Sequence, residues 1–300
     1  MLEITLAVGL AVLTASGSTA SQASAEGHSA QKRGALPAEV YVLGTVHSFH
    51  ERESFAYSYA DLADQVRAMR PTLVCAEMSA EDQGGEHEAM YPLEVAVVEE
   101  AAQSIRAAFL PADWRPSVAE AQTAALQKEM TADEQVAFDH VYDDFMPRLQ
   151  AAGHRFFELW HSPETQEMVR GLHDKMIALG TEAGAGFWET RNQIIVKRCI
   201  RKAMADDLER VLFVFGAEHK YVLEQYLRRF YGIEARPVTR LFEHKNRPVS
   251  AAIVARWTKA RDNLARSIAT GELPAYFADQ FNDGYVARLT ATIDAQGRAH

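Results

Sequence analysis

Two histidines close two matching runs of this chain: VYVLGTVH, with Gly44 and His47, and VLFVFGAEH, with Gly216 and His219. In each, a β-rich apolar stretch stops at a glycine and the histidine follows three residues later. Imidazole exchanges a proton near neutral pH, and a glycine before it permits a sharp backbone turn and close approach by a ligand. A third run, TLVCAEM, ends at Glu77, and a carboxylate closing an apolar strand is costly unless it is solvated or paired. Two imidazoles and one carboxylate can bind a divalent metal (zinc, manganese, cobalt or iron), leaving positions open for water. Bound zinc lowers the pKa of its water toward ~7. Without metal, the same trio can act as a histidine base, His47 oriented by Glu77, with His219 as acid or electrophile. On the residues alone, both chemistries remain open for His47, Glu77 and His219.

Further polar residues lie where they can serve such a site. Arg191 and Asn192 stand near the start of a helical run, FWETRN. The arginine can bind a carboxylate or a developing oxyanion, or it can form a surface salt bridge with Glu189 or Glu182. Asp113, Trp114 and Arg115 follow a short third strand and border the same crevice, with Asp113 and Arg115 as candidates for substrate binding. His50 follows the first motif on a polar loop and is a further candidate contact. His87 has no second histidine to make a zinc helix, and His140, His154, His161 and His173 show no ligand spacing. The chain has no GxxxxGK[ST], GxSxG, CxxC or HExxH motif, which disfavours the chemistries those motifs carry.

The elements that must position these residues read as an α/β fold. Glu39 to Thr45, Thr72 to Met78 and Val211 to Phe215 are near-continuous apolar runs, the pattern of parallel strands buried on both faces. Tyr59 to Arg70 has helical spacing and stops before Pro71, so the first two runs and this helix form a βαβ unit. A helix over Val95 to Arg106 leads to a short strand in AAFLPADW, and Gly232 to Val238 reads as a last, edge strand. Residues 117–185 turn helical and read as an insertion over the sheet, with Phe156, Phe157 and Trp160 in its core. GTEAGAG, at 180–186, reads as a flexible join. Ala251 onward is amphipathic helix. The expected architecture is a central, mostly parallel sheet flanked by helices, with a helical insertion and C-terminal helices. Ligands of such sheets bind beyond the carboxyl ends of the strands, where the two histidines can meet.

Length and composition set the surroundings. The 300 residues, 48% of them hydrophobic, suit one large domain, and the mean hydropathy of −0.21 is that of a soluble protein. A net charge of −10 argues against nucleic acid as a partner, because phosphate binding needs a basic face, and leaves a small molecule or peptide as the expected one. Ile4 to Ala15 is too short to span a bilayer, and Ala23-Ser24-Ala25 fits a signal-peptidase site. Residues 1–25 are therefore expected to be a signal peptide of a secreted or periplasmic protein with no stable membrane span after cleavage, despite a leader with no Lys or Arg. Residues 26–37 read as a linker and 38–300 as one domain. Cys75 and Cys199 lie in apolar surroundings and read as buried free thiols. Oligomeric state is not legible.

The motifs GTVH, CAEM, ETRN and GAEH, in that order, resemble those of the Tiki/TraB/PrgY and erythromycin-esterase/ChaN-like superfamily. The resemblance covers most of Val40 to Val238. It implies an α/β core with a pocket at the strand ends and carries over His47, Glu77, Arg191 and His219 as site residues, with Asn192 beside them. Activities in the superfamily differ: metal-dependent proteolysis, macrolide-ester hydrolysis, and haem or iron binding. The resemblance thus implies hydrolysis of an ester or amide, or alternatively a non-catalytic protein holding haem, iron or a small ligand.

Overall fold

The computed structural model describes residues 34–51, 53–115, 146–178, 187–245, 247–273 and 281–298, together with single positions between 131 and 143. The expected leader, the linker up to residue 33, the first part of the insertion and the GTEAGAG segment lie outside the described residues.

The apolar runs fold as strands β1 (Glu39–Thr45), β2 (Leu73–Ala76), β3 (Ala108–Pro111) and β4 (Arg210–Gly216). All pair parallel in one sheet of order β1-β4-β2-β3. Side chains alternate between faces along each strand, and the core divides accordingly. Leu43, Val74, Ala76, Leu212 and Val214 face a layer built by α1 (Tyr59–Met69) and α2 (Glu94–Ser104). Val40, Val42, Leu73, Cys75, Val211, Phe213 and Phe215 face the opposite layer. Its helices are α6 (Trp188–Ala205) and α7 (Lys220–Tyr231). Covering both faces explains why the strands are apolar at nearly every position.

Helix ends follow local chemistry. Ser58 and Asp61 form a capping box at the start of α1, which satisfies amide groups left open by the first turn. Gly232 takes a left-handed φ of 66° to end α7, a conformation glycine adopts without strain. The described part of the insertion is α3 (Met146–Ala152), α4 (Phe156–Trp160) and α5 (Pro163–Ala178). Its Phe156, Phe157 and Trp160 are buried in the α1–α2 face of the core, as expected of insertion core. The C-terminal helices α8 (Ala251–Thr270) and α9 (Asp283–Gly297) pack on that same side through Ile253, Trp257 and Ile293. Among the described residues, no helix is long and apolar enough to cross a membrane.

β1, α1 and β2 form the expected βαβ unit, with β4 entering between its two strands and pairing with both. The structure corrects two expectations. The segment Gly232 to Val238 is not a strand: it touches the sheet at one bridge, Tyr41 with Arg236, where the Arg236 N–H donates to the Val40 carbonyl at 2.8 Å. Pro237 follows at once and has no N–H to continue the ladder. The cysteines are not free thiols. Cys75 on β2 and Cys199 on α6 form a disulfide with a Cα–Cα distance of 6.2 Å, within bridging range. Their separation of 124 residues hid the pairing, which exists because α6 packs across the middle of the sheet.

Candidate functional site

The four strands end side by side, and each is followed by a polar residue: His47 after β1, His219 after β4, Glu77 after β2 and Asp113 after β3. Register makes the meeting possible, with Gly44 opposite Phe215 and Thr45 opposite Gly216. Glycine makes room at the second turn. A Cβ on Gly216 would stand 2.5 Å from His47 Nε2 and 3.4 Å from Glu77 Oε2. Gly44 is held from the insertion, its N–H donating to His161 Nε2 at 3.0 Å. His161 Nδ1–H donates in turn to the Phe157 carbonyl at 2.8 Å. Burial, then the nearby Lys220 ammonium, pushes the His161 pKa down to about 3, so this ring stays a neutral acceptor.

Glu77 is the hub. Its Oε2 accepts from the Gly216 N–H at 2.7 Å and its Oε1 from Arg191 Nη2 at 3.0 Å. His219 Nε2 lies 3.6 Å from Oε1 and His47 Nε2 lies 4.0 Å from Oε2. Burial works against the Glu77 charge, but His219, His47 and Arg191 hold its pKa well below the usual carboxylate range. Arg191 is no surface residue: 6% exposed, it forks onto Asp113 through Nε at 2.7 Å and Nη2 at 2.8 Å. Burial disfavours its charge, but Asp113 and Glu77 outweigh this and raise its pKa. The bidentate geometry is the one guanidinium favours with carboxylates.

The two histidines are held by different partners. Asn192 uses its side-chain N–H on the Trp188 carbonyl at 2.7 Å, so its Oδ1 accepts from His219 Nδ1–H at 2.6 Å. That makes Nδ1 the donor, so in the neutral ring the lone pair is on Nε2, on the side of Glu77, and a second proton there pairs with the carboxylate. Burial, then Arg191, lowers the His219 pKa. His47 differs. Its backbone has a left-handed φ of 48°, uncommon for a residue with a side chain. Its Nδ1–H donates to Glu94 Oε1 at 2.7 Å, and the side chain is 38% exposed. Desolvation opposes its charge, but Glu94 first, then Glu77 and Glu218, hold its pKa up to about 9.

Glu94, the first residue of α2, was not legible as a site residue, since nothing in PLEVAVVEE separates it from a solvated helix start. Glu218, inside the GAEH motif, and His173, on α5, form a second pair at 3.5 Å. Neither His161 nor His173 is background, and both reach the site from the insertion.

Of the expected substrate contacts, Asn192 orients His219. Asp113 is fully buried and engaged by Arg191 and, at 3.2 Å, by Arg115 Nε. Arg115 lies over the Tyr91 ring, 4.8 Å from its centroid. His50 points away from the site: Nδ1 meets the Tyr57 carbonyl at 2.7 Å and Nε2 meets the Val46 N–H at 3.4 Å. It braces the loop after β1.

Each Glu77 oxygen already accepts a hydrogen bond, and the Arg191 cation lies 3.0 Å from one of them. Among the described residues, no group of three or more His, Cys, Asp or Glu side chains could hold a metal ion.

No family model matches the chain, and neither a curated protein nor a solved structure matches it.

Proposed function

We propose that the protein is a hydrolase of an ester or amide bond that works with a histidine pair of opposite protonation. One observation carries this reading: His47 and His219 face one carboxylate, with the pKa of the first raised and that of the second lowered. Environments that push two titratable groups apart assign an acid and a base. At neutral pH His219 Nε2 has a lone pair to take a proton from water, and the resulting hydroxide attacks the carbonyl carbon. The His47 imidazolium stabilises the oxyanion and then gives its proton to the departing alcohol or amine. Water and the scissile bond are thereby converted to an acid and an alcohol or amine. Solvent returns the protons, reprotonating His47 and deprotonating His219. Glu77 stays ionised and keeps both rings aimed at one point, and Arg191 holds Glu77 in place. This exchanges the roles suggested by the sequence, which gave the base to His47 with Glu77.

The order of motifs supports membership in the Tiki/TraB/PrgY and erythromycin-esterase/ChaN-like superfamily. The Cys75–Cys199 disulfide supports export, because oxidising compartments are where disulfides persist. The alternative, a haem- or iron-holding protein without turnover, predicts a coloured protein as purified.

The test is hydrolysis of a panel of activated esters and anilides across pH. His219 must be neutral, so activity rises with pH through its lowered pKa. His47 must be protonated, so activity falls as pH rises through about 9. His219→Gln is expected to lower kcat by roughly 10²–10⁴-fold. A rate that climbs steadily past about pH 10 would remove His47 as the acid.

A further inference from the structure

Helix α5 of the insertion turns one histidine inward. His173 is 6% exposed although its neighbours Asp174 and Lys175 face solvent. It makes three contacts, and all lead to the site. Its Nδ1 lies 2.9 Å from the Tyr221 hydroxyl, which also accepts from Trp188 Nε1 at 3.2 Å. Its Nε2 lies 3.5 Å from Glu218 Oε2. Its ring packs edge-on to Trp188 with centroids 4.4 Å apart, and the same indole lies 4.3 Å from the His219 ring.

A consistent set of donors follows. The Trp188 N–H donates to the Tyr221 oxygen, the Tyr221 O–H donates to His173 Nδ1, and His173 Nε2–H faces the Glu218 carboxylate. Trp188 is thereby pinned at its indole nitrogen, and its ring packs against the His219 imidazole. The Trp188 backbone carbonyl, set by the first turn of α6, takes the Asn192 side-chain N–H at 2.7 Å. That bond makes Asn192 Oδ1 the acceptor for His219 Nδ1–H. A residue on the insertion is thus three contacts from the ring of a strand-end histidine.

We propose that His173 is a positioning residue, which through Tyr221 and the Trp188 ring keeps the His219 imidazole seated on Asn192 Oδ1, and so in the tautomer that carries its proton on Nδ1. The inference deepens the reading of His219 as the base and assigns the insertion a part in building the site. Buried side chains that hold a reacting group within a few tenths of an ångström are what preorganisation requires, and tautomer choice by an outer hydrogen-bond partner is a general property of functional histidines.

The experiment is nitrogen-15 NMR of the histidine rings at pH 7 in the full chain, with His219 assigned by comparison with His219→Gln. In the wild type, His219 shows the neutral Nδ1–H signature. In His173→Ala, the Nδ1–H form gives way to a mixture of tautomers, and in His173→Gln, whose amide can reach both Tyr221 and Glu218, it is restored. Tyr221→Phe removes only the hydroxyl and is expected to shift the mixture in the same direction, which keeps the test open should His173→Ala not fold. With a hydrolysed substrate in hand, kcat falls about tenfold in His173→Ala with little change in KM, the pattern of a lost transition-state interaction. Unchanged His219 nitrogen shifts in both folded variants would overturn the proposal. Because the tautomer is read without substrate, that failure is distinct from a failure to find hydrolysis.

Discussion

Replacing Glu94 with glutamine probes the electrostatics of the site most directly. The carboxylate touches His47 at 2.7 Å, whereas Glu77 is 4.0 Å away, so Glu94 supplies most of what lifts the His47 pKa from 6.5 to about 9. Glutamine keeps an oxygen for the Nδ1–H and removes the charge, leaving Glu77 and Glu218 to offset burial. The His47 pKa is then expected to fall by about two units, a change of roughly 2.7 kcal/mol at 1.36 kcal/mol per unit. The ring is 38% exposed, so water screens part of this and the stability change is expected to be about 1–2 kcal/mol. The sign follows from linkage. A raised histidine pKa stabilises the fold fully below the unfolded value near 6.5, and that contribution disappears as pH rises through about 9. Urea unfolding of wild type and variant should therefore differ most near about pH 6 and converge above about pH 9.5. Proton NMR of the His47 ring gives the midpoint independently. A midpoint left near 9 in Glu94→Gln would refute the argument, because among the described residues no other carboxylate is bonded to the ring.

Three other variants test the site and its surroundings. Arg191→Leu leaves Glu77 and Asp113 buried without their shared cation and should lower unfolding free energy by about 3–5 kcal/mol, with a smaller deficit at low pH where the carboxylates protonate. Removing the disulfide with Cys75→Ala and Cys199→Ala should cost about 2–5 kcal/mol in urea unfolding. A thiol assay on denatured, unreduced wild type should find no free cysteine, and two free thiols would contradict the pairing. Gly216→Ala places a methyl 2.5 Å from His47 Nε2; the ring must move, so turnover and the alkaline limb of the pH profile should change more than melting temperature does.

The sheet was legible because its signal is local. A strand buried on both faces must be apolar at consecutive positions, and β1 occupies Glu39–Thr45 as expected. The polar residues that end these strands were legible for the complementary reason: His47, Glu77, His219 and Asp113 interrupt apolar runs, and such interruptions are tolerated where groups meet a partner. Arg191 could be found as a charged residue in a helix but not distinguished from a surface pair, since its partners are 78 and 114 positions away. Glu94, His161 and His173 were illegible for one reason. Glu94 and His173 belong to helices, and His161 to the turn that ends one, whose exposed faces carry the same residue types, so only packing separates an inward side chain from an outward one.

Strand order is what turns these scattered residues into one site. Had β1 and β2 paired directly, His47 and Glu77 would be neighbours and His219 would lie at an edge. With β4 between them, His219 and the Gly216 amide sit beside Glu77, while His47 reaches across Gly216 from the other side. The central strand therefore ends in the glycine, and its missing side chain is the space in which the two imidazoles and the carboxylate face one another. An alanine at position 44 would meet the Ala217 backbone at 2.9 Å, so the first glycine packs the two turns together and the second leaves room above them. The repeated Gly-x-x-His spacing thus does two different jobs, one at an outer strand and one at the strand beside it.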